Sequence, residues 1–401
     1  MLSRSSSVVT DTRESRSSFG SWYLILNWRP WRRLPESREQ RYRGQEYTFS
    51  KKLEGSDIIP HLLNIKKIHR QKRRTLNTCS LIKMDKVEHN TVQVDGGLKL
   101  HVAEIGLKSS PAVIFLHGFP EIWYTWRHQM IAVANAGFRA IAPDFRGYGL
   151  SDSPAEPEKA SFTDFVNDIV SILDSLAISK AFVVAKDFGA MVAYSFVLLH
   201  PEKVAGLISL GMAFMPPGAF ENNFALPEGF YVRRWKEPGR AEADFGRLDA
   251  KTVVRNIYIL FSKSEIPIAN ENQEIMDLVK PTSPLPSWFT EEDLATYGAL
   301  YERSGFRTAL QVPYRAMDLD VGPTENDPKV EAPTLLIMGE DDYAMKIMNE
   351  YVRSDGMKKY VPNLETMYVP HGSHFVHEQF PDQVNQLILT FLDRNKQRVP
   401  I

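Results

Sequence analysis

One stretch of sequence, AFVVAKDFGAMVAYSF (181–196), limits the fold of this chain more than any other. An apolar, β-branched run passes into a helical run with only Lys186, Asp187 and Phe188 at the junction. A strand that turns straight into a helix forces the central residue of the junction out, strained and exposed. The residues two before and two after it must be small, because strand and helix approach each other there. Ala185 and Gly189 meet that demand and put Asp187 at the tip. An Asp at such a junction also reads as a plain N-cap of the following helix, so other residues have to decide its role.

The strand-then-helix texture repeats from Met84 onward. Short apolar runs that end in turns occur at 112–119, 138–144, 181–185, 204–211, 334–339 and 365–370. Residues 91–94 and 98–102 flank Asp95-Gly96-Gly97 and predict a β-hairpin. Helical periodicity fills 164–176, 190–199 and 383–392. Apolar strands alternating with helices predict an α/β fold: a mostly parallel sheet with helices on both faces. The alternation stops between 215 and 329, a stretch rich in Pro, Trp and Tyr with a mostly helical pattern. It is read as a helical lid over the carboxyl ends of the strands, where open α/β sheets bind ligands. The expected organisation is a core at 84–214 and 330–401, interrupted by the lid at 215–329.

Composition matters mainly for residues 1–83. The chain of 401 residues has a formal net charge of -1, which points to neither nucleic acid nor an acidic lipid surface. Residues 1–83, however, hold 18 Lys+Arg against 7 Asp+Glu. They start Ser- and Arg-rich, turn Lys/Arg-rich from Lys66 to Arg74, and show no sustained period of 2 or 3.6. The expectation is a disordered basic extension, with a transit peptide or an over-long gene model as the alternatives. The one cysteine, Cys79, excludes a disulfide framework within the chain and favours a reducing, cytoplasmic compartment; a transit peptide would make it organellar. The longest early apolar run, 22–28, is too short to span a bilayer.

The chemistry follows from an Asp at the tip. A Ser nucleophile needs a base before it can attack, whereas a carboxylate is already ionised and can attack a saturated carbon to give an ester. Asp187 therefore suits epoxide opening or halide displacement, and not ester or amide cleavage. No G-x-S-x-G occurs in the chain. The order nucleophile, acid, histidine of hydrolases built on this kind of sheet is met by Asp187, Asp342 after the run at 334–339, and His374 after the run at 365–370. His374 would take a proton from water and Asp342 would orient it. Glu340 and Asp341 compete for the role of acid. His371, His374 and His377, three apart, raise a metal site, but loop spacing does not aim three such rings at one ion. Gly118 and Phe119 follow an apolar strand, so the N–H groups of Phe119 and Phe188 are the candidate oxyanion holders. His117 and Asp144 are expected to be structural.

Taken together, HGFPEIWYTWRHQ (117–129), PDFRGYGLSD (143–152), KDFGA (186–190), GEDD (339–342) and HFVHE (374–378) resemble the plant-type soluble epoxide hydrolases of the α/β-hydrolase superfamily. The resemblance runs from about Val87 to Asn395. It implies two lid tyrosines that hold the epoxide oxygen. The Tyr-x-x-Arg-aromatic stretch ahead of Pro238-Gly239 points to Tyr231, and VPYRAM (312–317) points to Tyr314. A phenol with a pKa near 10 keeps its proton and can donate it as the C–O bond breaks. The family commonly has Gly-His-Asp-Trp-Gly at the turn, where this chain has Ala185-Lys186-Asp187-Phe188-Gly189. A cation at Lys186 would hold Asp187 ionised or weaken it as a nucleophile. Pro313 stands before Tyr314 where the family is usually aromatic. Larger members carry an N-terminal phosphatase domain, for which residues 1–83 are too short and lack the acidic motif.

The expected function is addition of water to an apolar epoxide such as a fatty-acid epoxide, giving a vicinal diol. No metal or organic cofactor is implied, and oligomeric state is left open. One rival is a haloalkane or haloacid dehalogenase using the same Asp; Phe188 lacks the indole donor that often holds the departing halide. The other is a non-catalytic ligand receptor on the same scaffold, which would have no need of a water-activating His374–Asp342 pair.

Overall fold

A computed structural model describes residues 82–216, 226–318, 328–354 and 356–399. The extension at 1–83 lies outside the described residues except for its last two. One eight-stranded sheet runs in the order β1-β2-β4-β3-β5-β6-β7-β8. The strands are β1 (Glu88–Gln93), β2 (Lys99–Ile105), β3 (Ala112–Leu116), β4 (Arg139–Pro143), β5 (Ala181–Lys186), β6 (Val204–Leu210), β7 (Thr334–Gly339) and β8 (Leu364–Val369). The hairpin forms as expected, with Val92 opposite Leu100 and positive φ at Gly96 and Gly97 in its turn. β2 joins β4 antiparallel, and every pairing from β4 to β8 is parallel.

Why the central strands read as unbroken apolar runs is plain from their burial. β3, β4, β5, β6 and β7 are buried at every position. Alternate side chains of a strand face opposite sides, so β3 sends Val113 and Phe115 to one core and Ile114 and Leu116 to the other. The first core is closed by Met130 of α1 (Arg127–Asn135). The second is closed by Phe165 of α2 (Phe162–Ser175) and Val192 of α3 (Phe188–Leu199). α2 starts with a capping box in which the Ser161 side chain accepts from Asp164 N–H and the Asp164 carboxylate accepts from Ser161 N–H. The edge strand β8 instead alternates between partly buried and exposed positions before ending on buried Val369.

The chain reverses direction across the sheet between β3 and β5. β3 leads to β4 on one side, and the chain then returns to lay β5 on the other side of β3. The carboxyl ends of β3 and β5 therefore flank the topological switch point, the crevice where such sheets bind ligands.

Between β6 and β7 the described residues 226–318 hold helices and no strand: α4 (Tyr231–Lys236), α5 (Arg240–Phe245), α6 (Ala250–Phe261), α7 (Glu291–Ser304) and α8 (Arg307–Leu310). Asp249 caps α6 by accepting from Thr252 N–H at 2.8 Å, and Thr290 with Asp293 forms a capping box at α7. Polar bonds seat this insertion on the core. Tyr124 donates to Asp293 at 3.1 Å, Tyr148 donates to the Val312 carbonyl at 2.8 Å, and Tyr258 donates to Glu378 at 2.9 Å. Beyond β7 come α9 (Tyr343–Arg353), α10 (Val376–Gln379) and α11 (Pro381–Asn395). Among the described residues no helix is long and apolar enough to cross a membrane.

Candidate active site

Asp187 sits at the turn between β5 and α3 with φ 52 and ψ -133, a conformation an L-residue adopts only when its surroundings hold it there. Two close approaches hold it. A Cβ on Gly189 would lie 2.2 Å from the His117 carbonyl oxygen, and a Cβ on Gly118 would lie 2.4 Å from the Asp187 Cβ. The α3 N-cap reading fails, because the Asp187 side chain makes no capping bond. Its carboxylate turns to other partners. Phe119 N–H donates to Oδ1 at 3.1 Å, and Phe188 N–H also supports the charge. Oδ2 lies 3.3 Å from His374 Nε2, an ion-pair distance.

His374 is almost wholly enclosed, and its Nδ1 faces both oxygens of Asp342 at 3.1 and 3.2 Å. Asp342 is placed by α9, whose first turn it caps by accepting from Ala344 N–H at 2.9 Å. This settles which acid faces the imidazole. Asp341 turns outward to exposed His371, 3.6 Å away, and Glu340 is exposed.

The charges balance in a definite way. Burial pushes the Asp187 carboxyl up, but His374, Lys186 and the Phe188 N–H outweigh it and hold the group at about 2. Burial and Lys186 pull His374 down, but Asp342 and Asp187 outweigh them and hold it at about 9. At neutral pH the resting site is therefore a carboxylate beside an imidazolium.

Lys186 lies directly before Asp187 and is fully buried. Its ammonium is 3.1 Å from Glu121 Oε1 and 4.8 Å from the centre of the Phe375 ring. Glu121 in turn accepts from Gly118 N–H at 2.9 Å, so the Lys186–Glu121 pair braces the loop that carries Phe119. His117 is structural as expected: it hydrogen-bonds Gly118 O at 2.9 Å and accepts from Phe145 N–H at 3.1 Å, and burial brings its pKa down to about 4. Asp144 is structural too, accepting from the N–H groups of Trp123 and Leu150.

The three histidines diverge. His371 is exposed, His374 joins the acids above, and His377 is enclosed against Thr125 at 2.7 Å. Among the described residues one other group, Glu121, His377 and Glu378, has ligand atoms within 4.8 Å of one another. Its carboxylates already face cations, Glu121 with Lys186 and Glu378 with Arg127, so the donor set is neutralised and fits an internal ion-pair cluster better than a cation site.

Tyr231 and Tyr314, 83 positions apart in the insertion, come together with ring centres 6.1 Å apart. Both phenols are buried, and the Asp187 charge acts on both; burial first, and then that charge among others, pushes their pKa values above 10. The Phe119 ring packs against Tyr314, and the Trp235 ring packs against both Tyr231 and Tyr314. Sequence reasoning missed Tyr343, whose hydroxyl lies 2.9 Å from that of Tyr231. Its only sequence signal is adjacency to Asp342. It also missed the partners of Lys186.

Residues 111–381 match the family described as the alpha/beta hydrolase fold. The chain is 37% identical over 321 residues to epoxide hydrolase 3 of Siraitia grosvenorii, covering 78% of this chain and 100% of that protein. It is 31% identical to the bifunctional epoxide hydrolase 2 of Sus scrofa, covering 77% of this chain and 55% of that protein. Among solved structures, potato (Solanum tuberosum) epoxide hydrolase I superposes with a TM-score of 0.70 at 34% identity, covering 77% of this chain and 100% of that one. An epoxide hydrolase from Vigna radiata gives 0.69 at 33% identity, covering 78% and 100%.

Proposed function

The chain belongs to the epoxide hydrolases of the α/β-hydrolase fold, and from that premise we propose how its own residues add water to an epoxide to give a vicinal diol. Oδ1 of Asp187 is held by the Phe119 N–H, so Oδ2 is the attacking atom. In the first step Oδ2 bonds to a ring carbon, the C–O bond of the ring breaks, and Tyr231 and Tyr314 donate to the oxygen. Asp187 becomes a neutral ester. That removes one of the two anions that hold His374 protonated, while burial and Lys186 remain to oppose the charge. His374 loses its proton, which balances the one taken up by the new hydroxyl.

In the second step neutral His374, oriented by Asp342, takes a proton from water as the water attacks Cγ of Asp187. Negative charge then grows on Oδ1, where the N–H groups of Phe119 and Phe188 receive it. Cleavage of Cγ–Oδ2 releases the diol, which takes its proton from His374. The Asp187 carboxyl keeps the other water proton and passes it to His374, restoring the starting ion pair.

The single observation that carries this reading is the line of contacts from Asp187 through His374 to Asp342, at 3.3 and 3.1 Å, with the Phe119 N–H on the opposite carboxylate oxygen. The insertion acts as a lid, and its aromatic walls favour an apolar epoxide such as a fatty-acid epoxide. The absence of any cysteine pair supports a cytosolic enzyme.

The test is single-turnover mass spectrometry with a lipid epoxide. Wild type should release diol, and His374→Gln should accumulate an adduct on the peptide that carries Asp187. No adduct and no diol across several epoxides would overturn the mechanism in favour of a receptor, and halide release from a haloalkane supplied in their place would point to a dehalogenase. Preference for small polar epoxides would overturn the substrate class alone.

A further inference from the structure

Tyr343 opens α9 directly after Asp342. Its ring is buried, 4.9 Å from the ring of His374 and 5.3 Å from that of Phe261. Its hydroxyl lies 2.9 Å from the Tyr231 hydroxyl. Resting on the reading above, we propose that Tyr343 is a positioning residue for ring opening: it donates its proton to Tyr231 Oη and so leaves the Tyr231 proton for the epoxide oxygen.

The argument starts from proton count. Each phenol has one proton to give, so in a bonded pair only one of the two is the donor. If Tyr231 donated to Tyr343, its proton would be turned away from the substrate. With Tyr343 as donor, Tyr231 is both oriented and strengthened. As the ring C–O bond breaks, the Tyr231 proton moves toward the substrate oxygen and negative charge appears on Tyr231 Oη. A hydrogen bond to a charged oxygen is stronger than one to a neutral oxygen, so the Tyr343 bond is worth more in the transition state than at rest.

Packing alone does not explain the hydroxyl. A phenylalanine would fill the same space between Phe261 and His374, and a buried hydroxyl in such a wall is costly unless it is bonded. The bond it makes is to Tyr231. Among the described residues the Tyr314 hydroxyl has no comparable partner. The two lid phenols are therefore unequal: Tyr231 is the backed proton donor, and Tyr314 aligns the oxygen. The bond also joins the lid to the core, since Tyr231 belongs to α4 and Tyr343 to α9, so Tyr231 reaches full strength only when the lid is seated.

Tyr343→Phe tests this by rapid-quench measurement of ester formation and ester hydrolysis on a lipid epoxide. Loss of one hydrogen bond that strengthens in the transition state should slow ester formation about three- to tenfold. Ester hydrolysis should keep its wild-type rate, a split that a merely structural role would not produce. Adding Tyr343→Phe to Tyr231→Phe should cost nothing further, while adding it to Tyr314→Phe should multiply the losses. Ester formation at the wild-type rate in Tyr343→Phe, or a full extra loss on top of Tyr231→Phe, would overturn the proposal. Wild-type enzyme that forms no ester would instead refute the reaction assignment on which it rests.

Discussion

Replacing Lys186 by methionine would remove a charge from the most enclosed part of the molecule while nearly keeping its volume. Lys186 and Glu121 are both fully buried and 3.1 Å apart. Without the ammonium, Glu121 keeps the Gly118 N–H as a donor and shares the Thr125 hydroxyl with Glu378. Removing one partner of a buried ion pair costs about 3–5 kcal/mol, because the other charge is left uncompensated. The retained Gly118 bond places this site toward the lower end, about 3 kcal/mol. The loss should depend on pH. Burial already pushes the Glu121 carboxyl up and Lys186 is the largest influence that pulls it down, so in Lys186→Met the group rises further. A group whose pKa is raised by folding contributes stability below its unfolded pKa and loses it as pH rises through the folded value. Lys186→Met should therefore be closer to wild type at pH 5 than at pH 8. Urea unfolding followed by tryptophan fluorescence at the two pH values measures both effects. Glu121→Gln added to Lys186→Met should recover much of the loss, since the uncompensated carboxylate is then gone. A penalty below about 1 kcal/mol at pH 8, or a double variant as unstable as the two single losses added, would refute the ion-pair reasoning.

Two further outcomes are expected. Asp342→Asn should slow ester hydrolysis by about a thousandfold or more while ester formation falls far less, because the imidazole loses its tautomer control and the anion that supports its charge; burst kinetics on a lipid epoxide separate the two steps. Since Asp187 is held at about 2, the rate of ester formation should show no acid limb from Asp187 between pH 4 and pH 7, and rapid-quench measurement across that range checks it.

Much of the fold can be read from sequence because its determinants are local. A strand buried on both faces has to be apolar at every position, as β3 and β5 are, and their run lengths announce it. The steric demand of the turn around Asp187 falls on Ala185 and Gly189, two residues either side, so it is written in adjacent letters. The order Asp187, Asp342, His374 survives because each sits where a strand ends. The same is true of the hairpin turn at Asp95-Gly96-Gly97, where the positive φ values belong to the glycines themselves.

What only the tertiary structure decided is which buried polar group meets which. Glu340, Asp341 and Asp342 are chemically similar neighbours, and α9 selects Asp342 by turning it inward as its cap. Lys186 stood beside Asp187 in sequence, yet its ammonium pairs with Glu121, 65 positions away. Nothing local in the sequence but its place next to Asp342 marks Tyr343, and it is α4 that brings Tyr231 to its hydroxyl from 112 positions away. The physical reason is common to all three. Taking a polar group out of water is costly, so it has to find a partner, but the partner is supplied by packing between elements that are remote in the chain. Local sequence therefore reports which residues can do chemistry, while three-dimensional closure determines how each is oriented, charged and backed.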